Sequence, residues 1–308
     1  MTDRAIYKTL IFDSSRWDGF EFRPDDIVVS TPAKCGTTWT QTILAMMVLR
    51  TATLPEPLSV ISPWLDMLTR RRDDVVADLE AQTHRRIIKS HTPWPGLPID
   101  PRVTYITVGR DPRDVYLSWD NHLANANVES LFAARAAAVG LDDIADLIAA
   151  GPPPAPPELI DRFWLWVDDD TPVTEAVSLH ETLHHLQGFW DVRDLPNVIM
   201  LHYDEMLTNL DGEMRSLAAR LGIEVPDELW PELVVAARFD SMKERADTAA
   251  PEVEKNLWHD NSAFFKRGTS GQWREILSDD DLPRYTARVG EWASADLARW
   301  LHRDGTFG

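Results

Sequence analysis

The chain has one cysteine among 308 residues and no long basic or apolar run. Cys35 alone excludes an internal disulfide framework and a multi-cysteine zinc site, and it favours a reducing compartment. The formal net charge is −19, from 31 basic and 50 acidic residues, and the longest basic run, Arg70 to Arg72, is followed at once by two aspartates. Since a nucleic-acid-binding face must be basic, this balance argues against a nucleic-acid partner.

Long hydrophobic runs are also missing. No stretch approaches the roughly 18 apolar residues of a membrane span. Residues 1–12 carry charges and lack the apolar centre of a signal peptide. We therefore expect a cytoplasmic protein with no membrane span. The aspartate runs at 168–170 and 279–281 are interpreted as solvated faces or helix starts, and no metal site is expected.

What is present is an alternation of short β-rich runs with helical stretches. Strands are predicted over residues 27–30, 85–90, 103–108 and 197–203, and a helix over 36–50. Asp111 and Pro112 form a favourable helix start, and Gly222 stands where a helix C-terminal cap belongs. This order favours an α/β protein whose central, mainly parallel sheet has helices on both faces.

One proline-rich stretch, residues 151–157, cannot be helix or central strand. It could be a domain linker, but strands of the same character lie on both sides of it. We therefore expect a single domain over residues 1–308, with a surface or lid excursion at about residues 125–175.

The loop after the first predicted strand has the features of an anion site. Such a loop turns free backbone N–H groups outward at the start of a helix. Lys34 supplies charge, Gly36 permits close approach of the backbone, and Thr37 and Thr38 supply hydroxyls. The alternative is an ordinary turn with an exposed lysine. The nucleotide triphosphatase loop places its lysine after the glycine, and here the lysine precedes it.

Two further segments could hold phosphate. Arg110 ends the third predicted strand and Ser118 lies two turns into the next helix, so a guanidinium and a hydroxyl could share one phosphate. Alternatively, Arg110 pairs with Asp114. Near the C-terminus a pair of cations precedes two glycines and Trp273, which could form a second phosphate contact; the alternative is a solvated basic turn.

His91 follows the second predicted strand, and Lys89 lies two residues before it on the same side. Most single histidines are structural or exposed. This one stands at the carboxyl end of a parallel strand, where α/β folds place their ligands. It is therefore a candidate site residue.

These four segments resemble, in order, the motifs of the cytosolic sulfotransferases, which use 3′-phosphoadenylyl sulfate (PAPS). The resemblance implies a P-loop-like three-layer fold. It implies transfer of a sulfuryl group to a hydroxyl or amine, with adenosine 3′,5′-bisphosphate (PAP) as the other product and no metal. It makes His91 the general base, and it makes Lys34 and Lys89 the cations that stabilise the leaving oxygen.

The resemblance also implies a set of nucleotide-binding residues. Lys34, Cys35, Gly36, Thr37 and Thr38 would hold the 5′-phosphosulfate; Arg110, Ser118, Lys266, Arg267 and Gly268 the 3′-phosphate; Trp39 and Phe239 would sandwich the adenine, with Tyr203 near the nucleotide. For the two sandwiching aromatics, core packing is the alternative.

The sequence departs from that family in four places. Cys35 replaces a serine, the loop proline is one position early at Pro32, and Ala237 replaces a common hydroxyl. Residues 275–289 do not reproduce the family's dimer segment, so the oligomeric state stays open. Cys35 is either oxidation-sensitive or a tolerated substitution.

The sequence leaves two rival functions open, and it does not identify the acceptor. One rival is an ATP-dependent small-molecule kinase, which would need a different phosphate loop and a magnesium pair. The other is a non-catalytic nucleotide-binding protein on the same fold. Several aromatic residues suggest an apolar or aromatic acceptor, such as a phenol, a hydroxylated small molecule or a lipid-linked alcohol, although core packing explains them almost equally well: Trp64, Trp94, Phe132, Trp164 and Trp166.

Overall fold

A computed structural model describes residues 4–151 and 154–307, so Pro152 and Pro153 of the proline-rich stretch lie outside the described residues. At its centre is a parallel sheet with strand order β2-β1-β3-β4. The strands are β1 (Ile27–Ser30), β2 (Ile87–Ser90), β3 (Thr104–Gly109) and β4 (Val198–His202). The predicted parallel α/β architecture is confirmed, with strand ends shifted by no more than two residues.

Helices cover both faces of the sheet. In β1, Ile27 and Val29 belong to one buried cluster and Val28 belongs to another on the opposite face. Strands buried on both faces read as continuous apolar runs, which explains why the sequence shows no polar alternation here. The result is the expected arrangement of three layers.

The helices of the described residues begin and end as follows: α1 (Thr37–Leu49), α2 (Leu58–Ile61), α3 (Arg72–Ala81), α4 (Pro112–Asn125), α5 (Val128–Val139), α6 (Ala145–Ala150), α7 (Leu159–Val167), α8 (Leu179–Trp190), α9 (Tyr203–Thr208), α10 (Leu210–Leu221), α11 (Trp230–Ala236), α12 (Phe239–Glu244), α13 (Ala246–Ala249), α14 (Asn261–Phe264), α15 (Leu282–Trp292) and α16 (Ala295–Leu301). Within these residues, no helix is both long and apolar enough to span a membrane.

Local signals set several helix boundaries. The Asp111 side chain accepts a hydrogen bond from the Arg113 N–H at the start of α4, with Pro112 in the first turn. Gly222 ends α10 in the left-handed conformation, with φ of +63°. The helix expected after β4 is divided at Asn209, which leaves helical geometry between α9 and α10.

The segment expected to be a surface excursion contains α5, α6 and α7. Helix α7 departs from that expectation because Phe163 is fully buried. Its ring packs edge-on to Tyr116, with centroids 5.3 Å apart. Helices α5 and α6, in contrast, expose Val128, Val139 and Leu147.

The strand order fixes where a ligand can bind. The chain leaves β1 towards β2 on one side and leaves β3 towards β4 on the other, which creates a crevice beyond the carboxyl ends of β1 and β3. The loop after β1, the end of β2 and the residue after β3 therefore meet at this edge of the sheet.

Candidate active site

The loop after β1 has an unusual backbone. Lys34 has φ of +64° and Gly36 has φ of +108°, and α1 begins at the next residue. A Cβ atom on Gly36 would lie 3.2 Å from the Tyr203 ring. Left-handed residues placed between ordinary ones make a concave backbone whose N–H groups can face an anion. The displaced proline therefore still permits a loop of this kind.

Three cations line one cavity at this edge: Lys34, Lys89 and Arg110. Among the described residues none of the three forms an ion pair. Instead, the Lys34 Nζ lies 3.3 Å from the His122 Nδ1, and the Lys89 Nζ lies 4.0 Å from the centre of the Trp64 ring. Glu252, which also lines the cavity, pairs with Lys255, so the cavity concentrates three cations that form no ion pair among the described residues.

Burial raises the free energy of the charged form of Lys34 and Lys89. Burial, together with the charges of Arg110 and Lys89, lowers the pKa of Lys34 to about 7. Burial lowers the pKa of Lys89 to about 8. An anion in this cavity would reverse both shifts, because an opposite charge nearby favours the protonated form.

Arg110 connects two parts of the chain. Its Nη1 donates to the Lys34 carbonyl at 3.1 Å, and its Nη2 donates to the Thr269 carbonyl at 3.3 Å. Its buried Nε has no hydrogen-bond partner. Asp114 does not pair with it; this carboxylate accepts from the backbone N–H of Gly271 at 2.6 Å and from that of Trp273 at 3.1 Å. Arg110 therefore keeps a free donor.

The geometry of His91 defines its tautomer. Its Nδ1 lies 2.7 Å from the Thr31 carbonyl, which can only accept, so Nδ1 carries the proton. The Nε2 lone pair is consequently free. Burial and the Lys89 charge hold the pKa of His91 well below its ordinary value, so the ring is neutral at neutral pH.

Asp66 organises the segment around His91, and sequence reasoning missed it. Its carboxylate accepts hydrogen bonds from Ser90 Oγ at 2.5 Å, from Thr92 Oγ1 at 2.6 Å and from the indoles of Trp17 and Trp64. Such a fully bonded buried network fixes side chains in one arrangement. The single acid within the apolar stretch 63–68 was the available signal.

The aromatic residues expected near the nucleotide line the cavity: Trp39, Tyr203 and Phe239. Ser118 lines it as well. Trp39 donates through Nε1 to the Ala237 carbonyl at 2.7 Å, which fixes its indole. Gly268 lies beneath Phe239, where a Cβ atom would be 2.2 Å from the ring, and its φ is +62°. Only glycine satisfies both conditions.

Three expected nucleotide-binding side chains do not line the cavity. Cys35 is fully buried in the core, and burial raises the pKa of its thiol to about 12, so the thiol is not activated. Lys266 is exposed. Arg267 pairs at 2.5 Å with Glu275, a partner eight residues along the chain.

Three ionisable residues on the cavity wall were not identified from the sequence: His122, Glu181 and Glu252. His122 is one helical turn after Ser118 on α4, a spacing that could have revealed it. Glu181 is buried, its Oε2 has no hydrogen-bond partner, and burial raises its pKa to about 8. It is therefore largely a neutral acid at neutral pH.

The remaining wall is apolar. It includes part of a separate buried cluster, with Phe12, Trp64, Met67 and Leu257, and the flanking Trp258. Of the five aromatic residues considered for an acceptor, Trp64 lines this cavity. The other four do not: Trp94 packs on Tyr105, Trp166 on Tyr116 and Trp164 against Arg284, and Phe132 lies outside the cavity wall.

Comparisons with known proteins identify the family of the chain. The model of the sulfotransferase domain matches residues 24–295. A glycolipid sulfotransferase of Mycobacterium bovis is 38% identical, covering 98% of this chain and 95% of that protein. A glycolipid sulfotransferase of Mycobacterium tuberculosis is 39% identical with the same coverage.

Solved structures show the same fold at lower identity. Retinol dehydratase in complex with androsterone and the inactive cofactor PAP aligns with a TM-score of 0.66 at 18% identity, covering 90% of this chain and 82% of that one. A mouse sulfotransferase complexed with PAP aligns with a TM-score of 0.66 at 19% identity, covering 94% and 92%. The match of the domain model to most of the chain, together with close relatives over nearly all of it, shows that the chain belongs to the sulfotransferase family.

Proposed function

We propose that the protein transfers the sulfuryl group of PAPS to a hydroxyl of a lipid-linked acceptor. The observation that carries this proposal is the convergence of Lys34, Lys89 and Arg110 on one cavity, where none of the three forms an ion pair among the described residues. A donor with several phosphate and sulfate groups would supply the missing negative charge. The solved relatives in complex with PAP support the same donor.

His91 is the general base in this proposal. Its free Nε2 takes the acceptor proton as the acceptor oxygen forms a bond to sulfur. The bond between sulfur and the bridging oxygen breaks, and that oxygen leaves with the electron pair as part of PAP. Because the ring is neutral at neutral pH, the base is available without prior deprotonation.

Lys34 and Lys89 stabilise the departing oxygen. Fixed positive charge in a water-poor site is usually the largest contribution to such a reaction. Their lowered pKa values rise when the anionic donor binds, so both are charged in the complex.

The other nucleotide contacts follow from the cavity wall. The free Arg110 Nε and the Ser118 hydroxyl hold the 3′-phosphate, and Trp39 and Phe239 enclose the adenine, with Tyr203 beside them. Gly36, Thr37 and Thr38 contribute N–H and hydroxyl groups to the phosphosulfate, and Cys35 contributes its backbone rather than its thiol. Lys266, Arg267 and Gly268 belong to the rim of the 3′-phosphate site, where Arg267 would exchange Glu275 for the phosphate.

The acceptor is proposed from the apolar wall. Phe12, Met67, Leu257 and Trp258 offer no charge to a polar headgroup but suit a hydrocarbon chain. The mycobacterial relatives are described as glycolipid sulfotransferases, which agrees with an acceptor hydroxyl carried on a lipid.

Two measurements test the proposal. A thermal shift series should show stabilisation by PAPS and PAP without a divalent cation, whereas preference for ATP with magnesium would indicate a kinase. His91→Ala should lower kcat by a factor on the order of 10²–10⁴ if His91 is the base. Unchanged PAP affinity in that variant would separate loss of chemistry from loss of binding, and a wild type without turnover would support a non-catalytic binder.

The acceptor class needs its own screen. Labelled PAPS is offered to glycolipids, simple phenols and lipid-free sugars, and products are identified by the mass of the added sulfuryl group. The proposal expects glycolipids to be modified and free sugars not. Exclusive modification of lipid-free sugars would contradict the apolar subsite.

A further inference from the structure

His122 occupies a fixed position inside the cavity. Its ring stacks on Trp119 with an interplanar angle of 20° and a centroid distance of 5.2 Å. It also contacts the Trp258 ring at 4.7 Å and the Phe264 ring at 6.1 Å. Aromatic neighbours on several sides restrict the ring to one orientation.

The contact between His122 and Lys34 has a defined polarity. The distance from the Lys34 Nζ to the His122 Nδ1 is 3.3 Å. When an anion in the cavity keeps Lys34 protonated, its ammonium can only donate, so Nδ1 accepts and the ring proton resides on Nε2. This is the opposite tautomer to that of His91. Burial, with the charges of Lys34, Lys89 and His91, holds the pKa of His122 well below its ordinary value, so the ring stays neutral and remains an acceptor.

Lys34 needs such a partner. A lysine side chain has four rotatable bonds and loses considerable conformational entropy when it is ordered. Here the Phe264 ring lies 4.2 Å from the Nζ on one side, and the imidazole takes one N–H. The other two N–H groups remain available to an anion in the cavity.

We propose that His122 is a positioning residue for Lys34, which accepts one ammonium N–H through Nδ1 and so directs the other two towards the departing oxygen of the sulfuryl donor. The proposal rests on the proposed function. In this proposal His122 does not contact the reacting atoms. Its effect depends on which of its ring nitrogens accepts the hydrogen bond from Lys34.

Three substitutions separate the two ring nitrogens. In His122→Asn the amide oxygen can occupy the place of Nδ1, in His122→Gln the amide reaches the place of Nε2, and His122→Leu offers no acceptor. We expect kcat to fall about tenfold in the Leu and Gln variants, as for loss of a hydrogen bond to a charged group, and to stay within about threefold in the Asn variant. The KM for the acceptor and the affinity for PAP, measured by thermal shift, should change little in all three.

Equal losses in the Asn and Leu variants, or rescue by Gln instead of Asn, would overturn the proposal. PAP-induced stabilisation of each variant shows that it is folded and binds nucleotide. A purely structural role of the ring would lower that stabilisation in parallel with kcat, and this too would overturn it.

A double-mutant cycle gives an independent test. If His122 acts through Lys34, then His122→Leu should change kcat by less than about twofold in a Lys34→Met background. The same tenfold loss in both backgrounds would show that His122 acts on its own. Absence of any sulfuryl transfer by the wild type would contradict the proposed function instead, so the two failures are distinguishable.

Discussion

The two edges of the sheet treat buried cations in opposite ways. At the amino edge, Arg86 immediately precedes β2 and forms a buried pair with Asp26, which immediately precedes β1; the Arg86 Nε lies 2.8 Å from Asp26 Oδ1. At the carboxyl edge of the same two strands, Lys89 and Lys34 have no such partner in the described residues. Both edges desolvate positive charge, but only one of them neutralises it.

This difference separates a structural from a functional use of charge. A buried ion pair offsets its desolvation cost internally, whereas unpaired buried cations leave that cost to be offset by a ligand. Groups whose pKa is displaced by burial inside a cavity are typical of reactive sites. The unpaired edge is therefore the one that we propose binds an anion, and the following experiments test that contrast.

The largest effect is expected at the unpaired edge. Lys34→Met should lower kcat by a factor on the order of 10²–10³, as for removal of a preorganised donor to a developing negative charge. The same variant should be more stable than the wild type at pH 6. The folded pKa of Lys34 is about 7 and its ordinary value is 10.5, so the charged group opposes folding below pH 7, and this penalty disappears as the pH rises to 10.5.

Chemical unfolding of the wild type and of Lys34→Met across this pH range measures the difference in their free energies of unfolding. A variant that loses stability at pH 6 would show that Lys34 is paired after all, and the contrast between the edges would fail. Lys8, an exposed lysine paired with Asp143, serves as a matched control for loss of a lysine charge.

The opposite result is expected at the paired edge. Asp26→Ala leaves the Arg86 guanidinium buried without its counter-charge, which should lower the free energy of unfolding by about 3–5 kcal/mol. The kcat of the folded fraction should not change, because the pair lies at the far end of the strands. Urea unfolding and initial rates measured below the transition check both expectations.

A smaller effect is expected at the rim of the unpaired edge, where Gly268 lies against Phe239. Gly268→Ala introduces a Cβ atom into the Phe239 ring at a φ of +62°, so we expect strain of about 1–2 kcal/mol and weaker PAP binding. Gly19→Ala is the matched control, because Gly19 has φ of +69° but no atom within 4 Å of its Cβ position. Equal PAP affinity in the two variants would remove Phe239 from the nucleotide site.

The smallest effect concerns Glu181, one of two carboxyl residues that line the cavity; the other, Glu252, pairs with Lys255. Glu181 does not neutralise the lysines, because burial raises its pKa to about 8 and keeps it protonated. The unfolded chain releases this proton near pH 4.5, so the residue costs stability as the pH rises from 4.5 to about 8. Glu181→Gln should therefore raise Tm by a few degrees at about pH 9 and have little effect near pH 4. A constant difference at all pH values would mean that the pKa of this carboxyl is the same in the folded and the unfolded chain.

Much of the fold could be predicted from short segments. The apolar run ending at Ser30, the Asp111–Pro112 helix start and Gly222 each act over a few residues, and all three occur where they were expected. Helix α7 was missed as a core element because its proline-rich approach suggested a surface segment, whereas Phe163 is buried by distant aromatic residues.

For the site, the sequence by itself determined which cations stand at the ends of which strands, since a parallel strand followed by a turn delivers its next residues to one edge. Only the tertiary structure decided their partners. The Lys34–His122 and Lys89–Trp64 contacts depend on how helices and loops pack over that edge, because a long side chain can reach several neighbours. Charge placement is local along the chain, but whether a charge is neutralised depends on contacts between residues far apart in sequence.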